Sequence, residues 1–586
     1  MTKIRTFLNR HDLSARALWI AALVLAALKL LLCSFQLMYA SPDLSPIDDT
    51  LMVDLAKSIA SGQWLGEYNW LTLGKHSFFA LWLALLNKLG LNFLIGGQLL
   101  FAAAALLLLG ALRPLFKTNL ARFFVFGIVL WTPASWAEHS LRAYRDNIYP
   151  ALVLLAFAGL LGAFVRWREA AGRALPFYIA AGLALGAAWL SHEDNALLLP
   201  FLLCAAILYV VFLVSGRAGQ LPAKLALLAV PLALWGGCVA AWCGMNQKVY
   251  GRFIVSDFTS SEFSDAMGAL ARACPEDQDR YLLVPRTTRL ALYEVSPTLA
   301  TIEPYLETED IYNGYGSIER QEIFSGGIHW AIRSAAEEAG YYRDPETARQ
   351  FYLAVADEVN AACDAGLLPA GGKRSGTFAP FKAEYLGPTL QKFGEQLRIL
   401  TLYEQTRPTT LLSIARPDQS EDWESFLHCI STKSAVVNTD DPYYSPLQQM
   451  AYGVLDSITW LQRVLLWPML LLAGWWLCRT AAAAVRGIRK KRPPQDLLGG
   501  LLLLGFLLSG LLRVAAISYL MAVSFSIKGY LMYLAPACPL LLAFLAYGTA
   551  KWLEGPQEEG AGGDPGGLNQ RSGRPSPAGR QKDPGR

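Results

Sequence analysis

Carboxylates and cations gather in short polar segments that separate long apolar runs. One of them, PIDDTLMVDLAKSIASGQWLGEYNWLTLGK (46–75), begins with Asp48 and Asp49 and ends at Lys75. A carboxylate here can act as a general base toward a hydroxyl or an amine, and a lysine can stabilise a departing phosphate. Structural interpretations of the same residues stay open. Ser45 and Asp48 match a capping box, Asp49 could orient its neighbours, and Lys75 could reach to a membrane interface.

The segment AEHSLRAYRDNIYP (137–150) is the second dense polar stretch. It contains Glu138, Arg142 and Arg145, and the two arginines lie three positions apart, so they could grip one phosphate if the segment is helical. Alternatively, the arginines pair with Glu138 and Asp146.

The segment WLSHEDNALLLP (189–200) is the third. Its residues His192, Glu193 and Asp194 open an apolar run, where they could cap a helix, hold a sugar hydroxyl or hold a divalent ion. One histidine beside two carboxylates is weak evidence for a metal, and no metal site is predicted.

The last polar group lies near the C-terminal end. Lys528 and Tyr530 occur in VSFSIKGYLMYLAPACP (523–539), and Arg513 lies inside the apolar run that precedes it. Charged residues within a membrane span usually point into a cavity, so Arg513 is a candidate for binding a lipid phosphate. It could equally reach up to the headgroups.

The composition indicates what must position these residues. Of 586 residues, 54% are hydrophobic and 17% are charged, which favours a polytopic membrane protein over a soluble one. The net charge of +4 comes without basic and aromatic interleaving, so no nucleic-acid partner is predicted. About ten segments approach the roughly 20 apolar residues that cross a bilayer: 17–38, 92–112, 121–136, 147–165, 175–190, 195–214, 223–243, 457–478, 497–523 and 530–551.

The basic residues around short loops set the expected orientation. Arginines and lysines precede the first span and follow the second, fourth, sixth and eighth spans, so both termini are predicted to be cytoplasmic. The four polar segments then share the outer face. Within the first outer loop (39–91), Leu51, Leu55 and Ile59 recur every four residues and predict an interfacial helix. SFFALWLALLNKLGL (77–91) predicts a second interfacial or re-entrant element.

Four parts follow from this pattern. They are an N-terminal membrane module (1–243), a mainly helical extracytoplasmic domain (244–456), C-terminal membrane helices (457–551) and a disordered cytoplasmic tail (552–586). In the outer domain, Asp344 and Pro345 predict a helix start, and Gly340 predicts the end of the helix before it. Cys274, Cys363 and Cys429 lack metal-ligand spacing, and one disulfide among them is left open.

The first outer loop resembles that of a known family. DDTLMVDLAKSIASGQWL, followed by LTLGKHSFFALWLALLNKLG, is similar to the loop of lipid-linked-sugar-dependent glycosyltransferases with the GT-C fold, particularly aminoarabinose transferases and protein O-mannosyltransferases. The Asp-Glu, Ser-Gly-x-Trp and Lys of those loops fall on Asp48 and Asp49, on the stretch 61–64, and on Lys75. Asp49 stands where the family has Glu, and His76 and Ser77 stand where it has Pro-Pro. The segment 523–539 resembles the basic, aromatic and Pro-containing ending common in these transferases.

The resemblance implies a GT-C membrane enzyme without a cofactor. Asp48 would be the base that helps move a sugar from a polyprenyl-phosphate donor, with inversion, to a lipid, glycan or protein acceptor outside. Two other classes remain open from the sequence. One is a polytopic transporter or a component of lipid or polysaccharide export, and the other is an outer binding module that the spans only display.

Overall fold

The structure is a computed structural model that describes residues 12–273, 279–376, 381–410, 412–432, 444–489, 497–525 and 528–554. The chain is a helical polytopic membrane protein, as the composition predicts. Of the predicted disordered tail (552–586), the first three residues instead continue the last helix, and the rest lies outside the described residues.

In the described part of the chain, each of the ten predicted segments carries an apolar helix. Among the described residues, six meet the length and hydropathy of a membrane span, or seven when Asn119–Leu130 is joined to the bent continuation Pro133–Leu141. The length criterion therefore does not establish ten crossings. The helices are Ala15–Cys33, Phe93–Ala111, Asn119–Leu130, Tyr149–Phe164, Leu175–Trp189, Leu199–Ser215, Ala229–Tyr250, Pro446–Arg489, Leu497–Val523 and Ala537–Glu554.

One tight helix pair aligns two of the polar segments. The helices Tyr149–Phe164 and Leu175–Trp189 pack on each other over most of their length. Gly159 permits this approach, since a Cβ there would lie 2.8 Å from the carbonyl oxygen of Phe177. Because the segment around Arg145 enters the first helix and the segment around Glu193 leaves the second, the pair brings both to the same end of the bundle.

The two helices that the sequence predicts in the first outer loop both form, with one difference at the start of the first. The helices Leu51–Ala60 and Phe78–Leu89 form, and Leu51 and Leu55 are buried. The difference is the start, where Pro46–Thr50 makes a π-helical turn and Ser45 makes no side-chain cap bond. The capping-box interpretation of Asp48 is therefore wrong, and its carboxylate is directed elsewhere.

A helical lobe with its own buried core, residues 257–376, lies against this loop. Its core runs from Phe263 to Leu368. The predicted start at Asp344 is confirmed, because its carboxylate accepts from the Thr347 amide at 2.8 Å, and Gly340 has the positive φ of a helix end (82°). The lobe consists of Ser261–Arg272, Arg286–Val295, Pro297–Ala300, Glu303–Leu306, Glu309–Tyr315, Ile328–Glu338 and Pro345–Asp364, with a two-stranded hairpin, Gly316–Ser317 and Glu322–Ile323.

The lobe is fastened to the first outer loop by buried polar contacts. Arg333 donates to the Trp70 carbonyl at 2.8 Å and pairs with Asp257 at 3.0 Å, and the Asp257 amide donates to the Leu73 carbonyl at 2.8 Å. Two further helices, Leu386–Leu402 and Pro417–Leu427, follow the lobe in the chain. Cys363 and Cys429 are free thiols, and Cys274 lies outside the described residues.

We predict that Gly159→Ala lowers the melting temperature of the detergent-purified protein. The added methyl group forces two helix backbones apart, and such overpacking costs roughly 1–3 kcal/mol. The matched control is Gly237→Ala, since a Cβ at Gly237 meets nothing within 4 Å. Equal melting temperatures for the two variants would contradict the tight crossing.

Candidate active site

Lys75 lies at the centre of the polar groups on the lobe side of the bundle. Its ammonium group forms an ion pair with Asp48 and donates to the Tyr144 hydroxyl at 3.0 Å. It also lies 5.1 Å from the ring of Trp330, which the lobe contributes. Lys75 is buried. The alternative interpretation, in which Lys75 reaches to the membrane interface, is therefore wrong.

Asp49 and Arg142 form the most enclosed ion pair of this region. The guanidinium group binds both oxygens of Asp49, with Nε at 3.0 Å from Oδ2 and the terminal nitrogen at 2.6 Å from Oδ1. Asp49 is fully buried. The same terminal nitrogen lies 3.7 Å from Asp48, so Arg142 serves both carboxylates.

These cations determine the protonation of Asp48. Burial raises the pKa of Asp48, but Lys75 and Arg142 lower it more, and the net value lies below the ordinary 3.8. The carboxylate is therefore ionised at neutral pH, as a general base must be. Its basicity is weakened for as long as both cations face it.

Arg145 and Glu193 form the next pair. One guanidinium nitrogen lies 2.9 and 2.6 Å from the two oxygens of Glu193. Glu193 also accepts from the His76 amide at 3.1 Å. This contact ties His76, the residue after Lys75, to the pair and restrains the loop at that position.

Asp194 and Arg513 form the fourth pair, between a polar segment and a membrane helix. Their nitrogen and oxygen atoms are 2.8 Å apart, and Arg513 also donates to the Tyr533 carbonyl at 2.7 Å. His192 lies 2.9 Å from Asp194. Arg513 therefore points into the protein, toward Asp194, and not up toward headgroups.

Asp146 is the carboxylate left over from this pairing. It is 2% exposed, and neither of its oxygens has a hydrogen-bond partner among the described residues. Burial raises the pKa of Asp146 above 3.8, against the opposing influence of His192 and Arg145. An unpartnered buried carboxylate is costly to a protein, and a ligand that donates a hydrogen bond would offset that cost.

Most of the predicted residues meet in one assembly, which we term the charged cluster. Its carboxylates and cations come from the first loop, the two polar segments at 137–150 and 189–200, and the span that holds Arg513. The members are Asp48, Asp49, Lys75, Arg142, Arg145, Asp146, His192, Glu193, Asp194 and Arg513.

Some expected contacts differ. The arginines pair with Asp49 and Glu193, whereas the described cation that interacts with Glu138 is Arg407. His192 precedes the short helix Glu193–Leu198 but makes no side-chain cap bond, so the capping interpretation of this segment is wrong.

The final polar segment meets the charged cluster at Tyr533, whose carbonyl accepts from Arg513, and at Tyr530. The side chain of Tyr530 contacts Arg142. Lys528 is exposed and forms no ion pair with another described residue. No group of three or more His, Cys, Asp or Glu side chains in the described ranges is arranged to hold a metal ion.

Two contacting residues escaped the sequence analysis. Tyr144 has Lys75, Arg142 and Arg145 within 5.2 to 5.4 Å of its ring, and its place between the two arginines was a usable signal. Trp330 comes from the lobe, and nothing in its local pattern distinguishes it from a core tryptophan.

Comparisons with known proteins do not assign the chain to a family. No family model and no curated protein matches the chain. A solved structure that does match is the crystal structure of ArnT from Cupriavidus metallidurans in the apo state, with 15% identity over 91% of this chain and 78% of that one. The TM-score is 0.29, so this similarity establishes neither the fold family nor an activity.

We predict opposite effects on stability for two conservative variants. Asp146→Asn should leave the melting temperature unchanged or raise it, because it removes an uncompensated buried carboxylate. Glu193→Gln should lower it, since it leaves the Arg145 charge unpaired at a cost of up to about 3 kcal/mol. Thermal unfolding at neutral pH measures both, and an equal loss for Asp146→Asn would show that its carboxylate is structural.

Proposed function

We propose that the protein is a membrane glycosyltransferase with the GT-C fold. It moves a sugar from a polyprenyl-phosphate donor to a lipid, glycan or protein acceptor on the extracytoplasmic face. The observation that carries the proposal is the contact of Asp48 with Lys75 and Arg142. It joins an ionised carboxylate to two cations at the loop where the resemblance to such enzymes was found.

The arrangement suits an inverting transfer. The acceptor oxygen or nitrogen attacks the anomeric carbon, and the bond from that carbon to the phosphate oxygen breaks. The acceptor proton goes to Asp48, while the electron pair of the broken bond stays on the phosphate, which Lys75 and Arg142 stabilise. Because these cations hold the pKa of Asp48 down, a donor phosphate that draws their charge away would strengthen the base.

The remaining carboxylates have separate roles in this proposal. Asp146, unpartnered among the described residues, accepts a hydrogen bond from a sugar hydroxyl. Glu193 and Asp194 keep Arg145 and Arg513 in place. The lobe borders the acceptor entrance, since its Trp330 lies beside Lys75. Both termini are then cytoplasmic and the lobe is extracytoplasmic, in agreement with the basic residues of the opposite loops.

The test of the proposal is Asp48→Asn in intact cells. We expect transfer to fall by at least roughly 10²-fold, because a general base contributes that much or more. Mass spectrometry of envelope glycans and lipids measures the missing sugar increment. The matched control is Asp54→Asn, an exposed carboxylate on the neighbouring helix Leu51–Ala60, which should leave the spectra unchanged. Unchanged spectra for Asp48→Asn at a normal protein level, or lost solute uptake with unchanged spectra, would contradict the proposal.

A pH profile tests the coupling between Lys75 and Asp48. Lys75 is one of the cations that lower the pKa of Asp48. In Lys75→Met this cation is missing, so the pKa of Asp48 rises. A base works only when it is deprotonated. The acidic limb of kcat/KM should therefore move to higher pH in this variant, in addition to the loss of rate. Lys57→Met, which removes the lysine that pairs with Asp422, should keep the wild-type profile, and an unshifted limb in Lys75→Met would contradict the coupling.

A further inference from the structure

The segment 381–402 follows the lobe in the chain but packs on the membrane helices. Its helix Leu386–Leu402 lies along Leu497–Val523, where the amide of Gln396 contacts the sulfur of Met521 at 2.8 Å. Ile399 joins a buried cluster with Val514 and Ile517 of that span. One face of the helix is therefore fixed to a span.

Apart from this fixed face, the segment carries exposed apolar side chains. Phe381 is 69% exposed, Leu386 is 52% exposed and Leu390 is 61% exposed. Leu386 and Leu390 are four residues apart and share one side of the helix. Large apolar side chains that are this exposed are unfavourable in water.

One of these side chains, Phe381, extends an exposed apolar stripe of the span. Phe381 stacks on Tyr519, with ring centroids 6.5 Å apart. Tyr519 lies eleven positions after Leu508, which puts both on nearly the same side of the helix. Leu508 and Leu512 on that side are exposed leucines of a membrane helix, so this side faces hydrocarbon.

The depth of Tyr519 agrees with a position at the membrane interface. The span has 27 residues, so it is about 40 Å long at 1.5 Å per residue, roughly 10 Å more than the hydrocarbon core. About 5 Å then projects at each end. Tyr519 lies about 6 Å from the end, at the hydrocarbon boundary where tyrosines concentrate.

We infer that the segment 381–402 is an interfacial membrane element whose apolar face, formed by Phe381, Leu386 and Leu390, is buried in the acyl chains of the leaflet. Exposed polar neighbours such as Lys382 and Glu384 face the headgroups and water. The inference stands on packing and exposure, and it holds whichever reaction the protein catalyses.

This placement also bears on access to the charged cluster. Gln405, just after the helix, bonds the Gly529 carbonyl and the Leu531 amide, both at 2.9 Å. Tyr530 between them contacts Arg142. The interfacial segment is thereby attached to the turn that borders the charged cluster, and it forms part of the wall between that cluster and the leaflet.

The test is photocrosslinking of the full chain in phospholipid nanodiscs. With p-benzoylphenylalanine in place of Leu390, irradiation should add the mass of one phospholipid. The matched control is the same replacement of Leu367, which is 67% exposed but adjoins the lobe core through Leu368, and it should give no lipid adduct.

The result can overturn the inference in two ways. The first is that irradiation gives no lipid adduct at position 390. The second is that the adduct formed there joins two copies of the chain. A melting temperature equal to that of the wild type confirms that each variant is folded, and Leu386 is the second position if Leu390 proves intolerant. The outcome is independent of Asp48→Asn, so failure here leaves the proposed transfer untouched, and the reverse is also true.

Discussion

The ion pair between Asp49 and Arg142 is the constraint on which the rest of the site depends. Asp49 is fully buried, and an isolated buried carboxylate costs several kcal/mol unless a cation binds it closely. The first outer loop and the second polar segment must therefore dock together. Their backbones also join, since the Tyr39 amide donates to the Leu141 carbonyl at 3.0 Å. Because Asp48 directly precedes Asp49, its position is set by the same contact.

The same rule extends across the charged cluster and gives it its chemical character. Each of its lysines and arginines already has a carboxylate partner, which for the three arginines comes from a different segment, so the charges are oriented without a ligand. Preoriented charges stabilise a transition state without reorganising. Among the carboxylates of the charged cluster, Asp146 is the exception, because no cation binds it within the described part of the chain. A fold that leaves one buried carboxylate unpaired gives up stability at a position where a ligand would restore it.

The local sequence patterns predicted the helices. They could not predict which residues far apart in the chain would form ion pairs. The spacing of Leu51 and Leu55 and the Asp344-Pro345 start depend on neighbours within one or two turns, and both are confirmed. Arg142 and Asp49 are separated by 93 positions, so no periodicity links them, and the sequence left Arg142 with several possible partners. The apolar runs predicted the positions of ten helices, of which some, such as Tyr149–Phe164, are apolar but shorter than the length criterion for a span.

The lobe decides how strong the interaction of Lys75 with its partners can be. Lys75 is buried, and the rings of Trp330 and Tyr144 lie 5.1 and 5.2 Å from its ammonium group. Arg333 holds the lobe to the Trp70 carbonyl, five residues before Lys75. If the lobe moved away, water would reach the ammonium group and weaken its attraction for Asp48, because charge interactions decline steeply as the local dielectric constant rises. The lobe thus influences the electrostatics of a site that is otherwise built from the segments between the apolar helices and from Arg513.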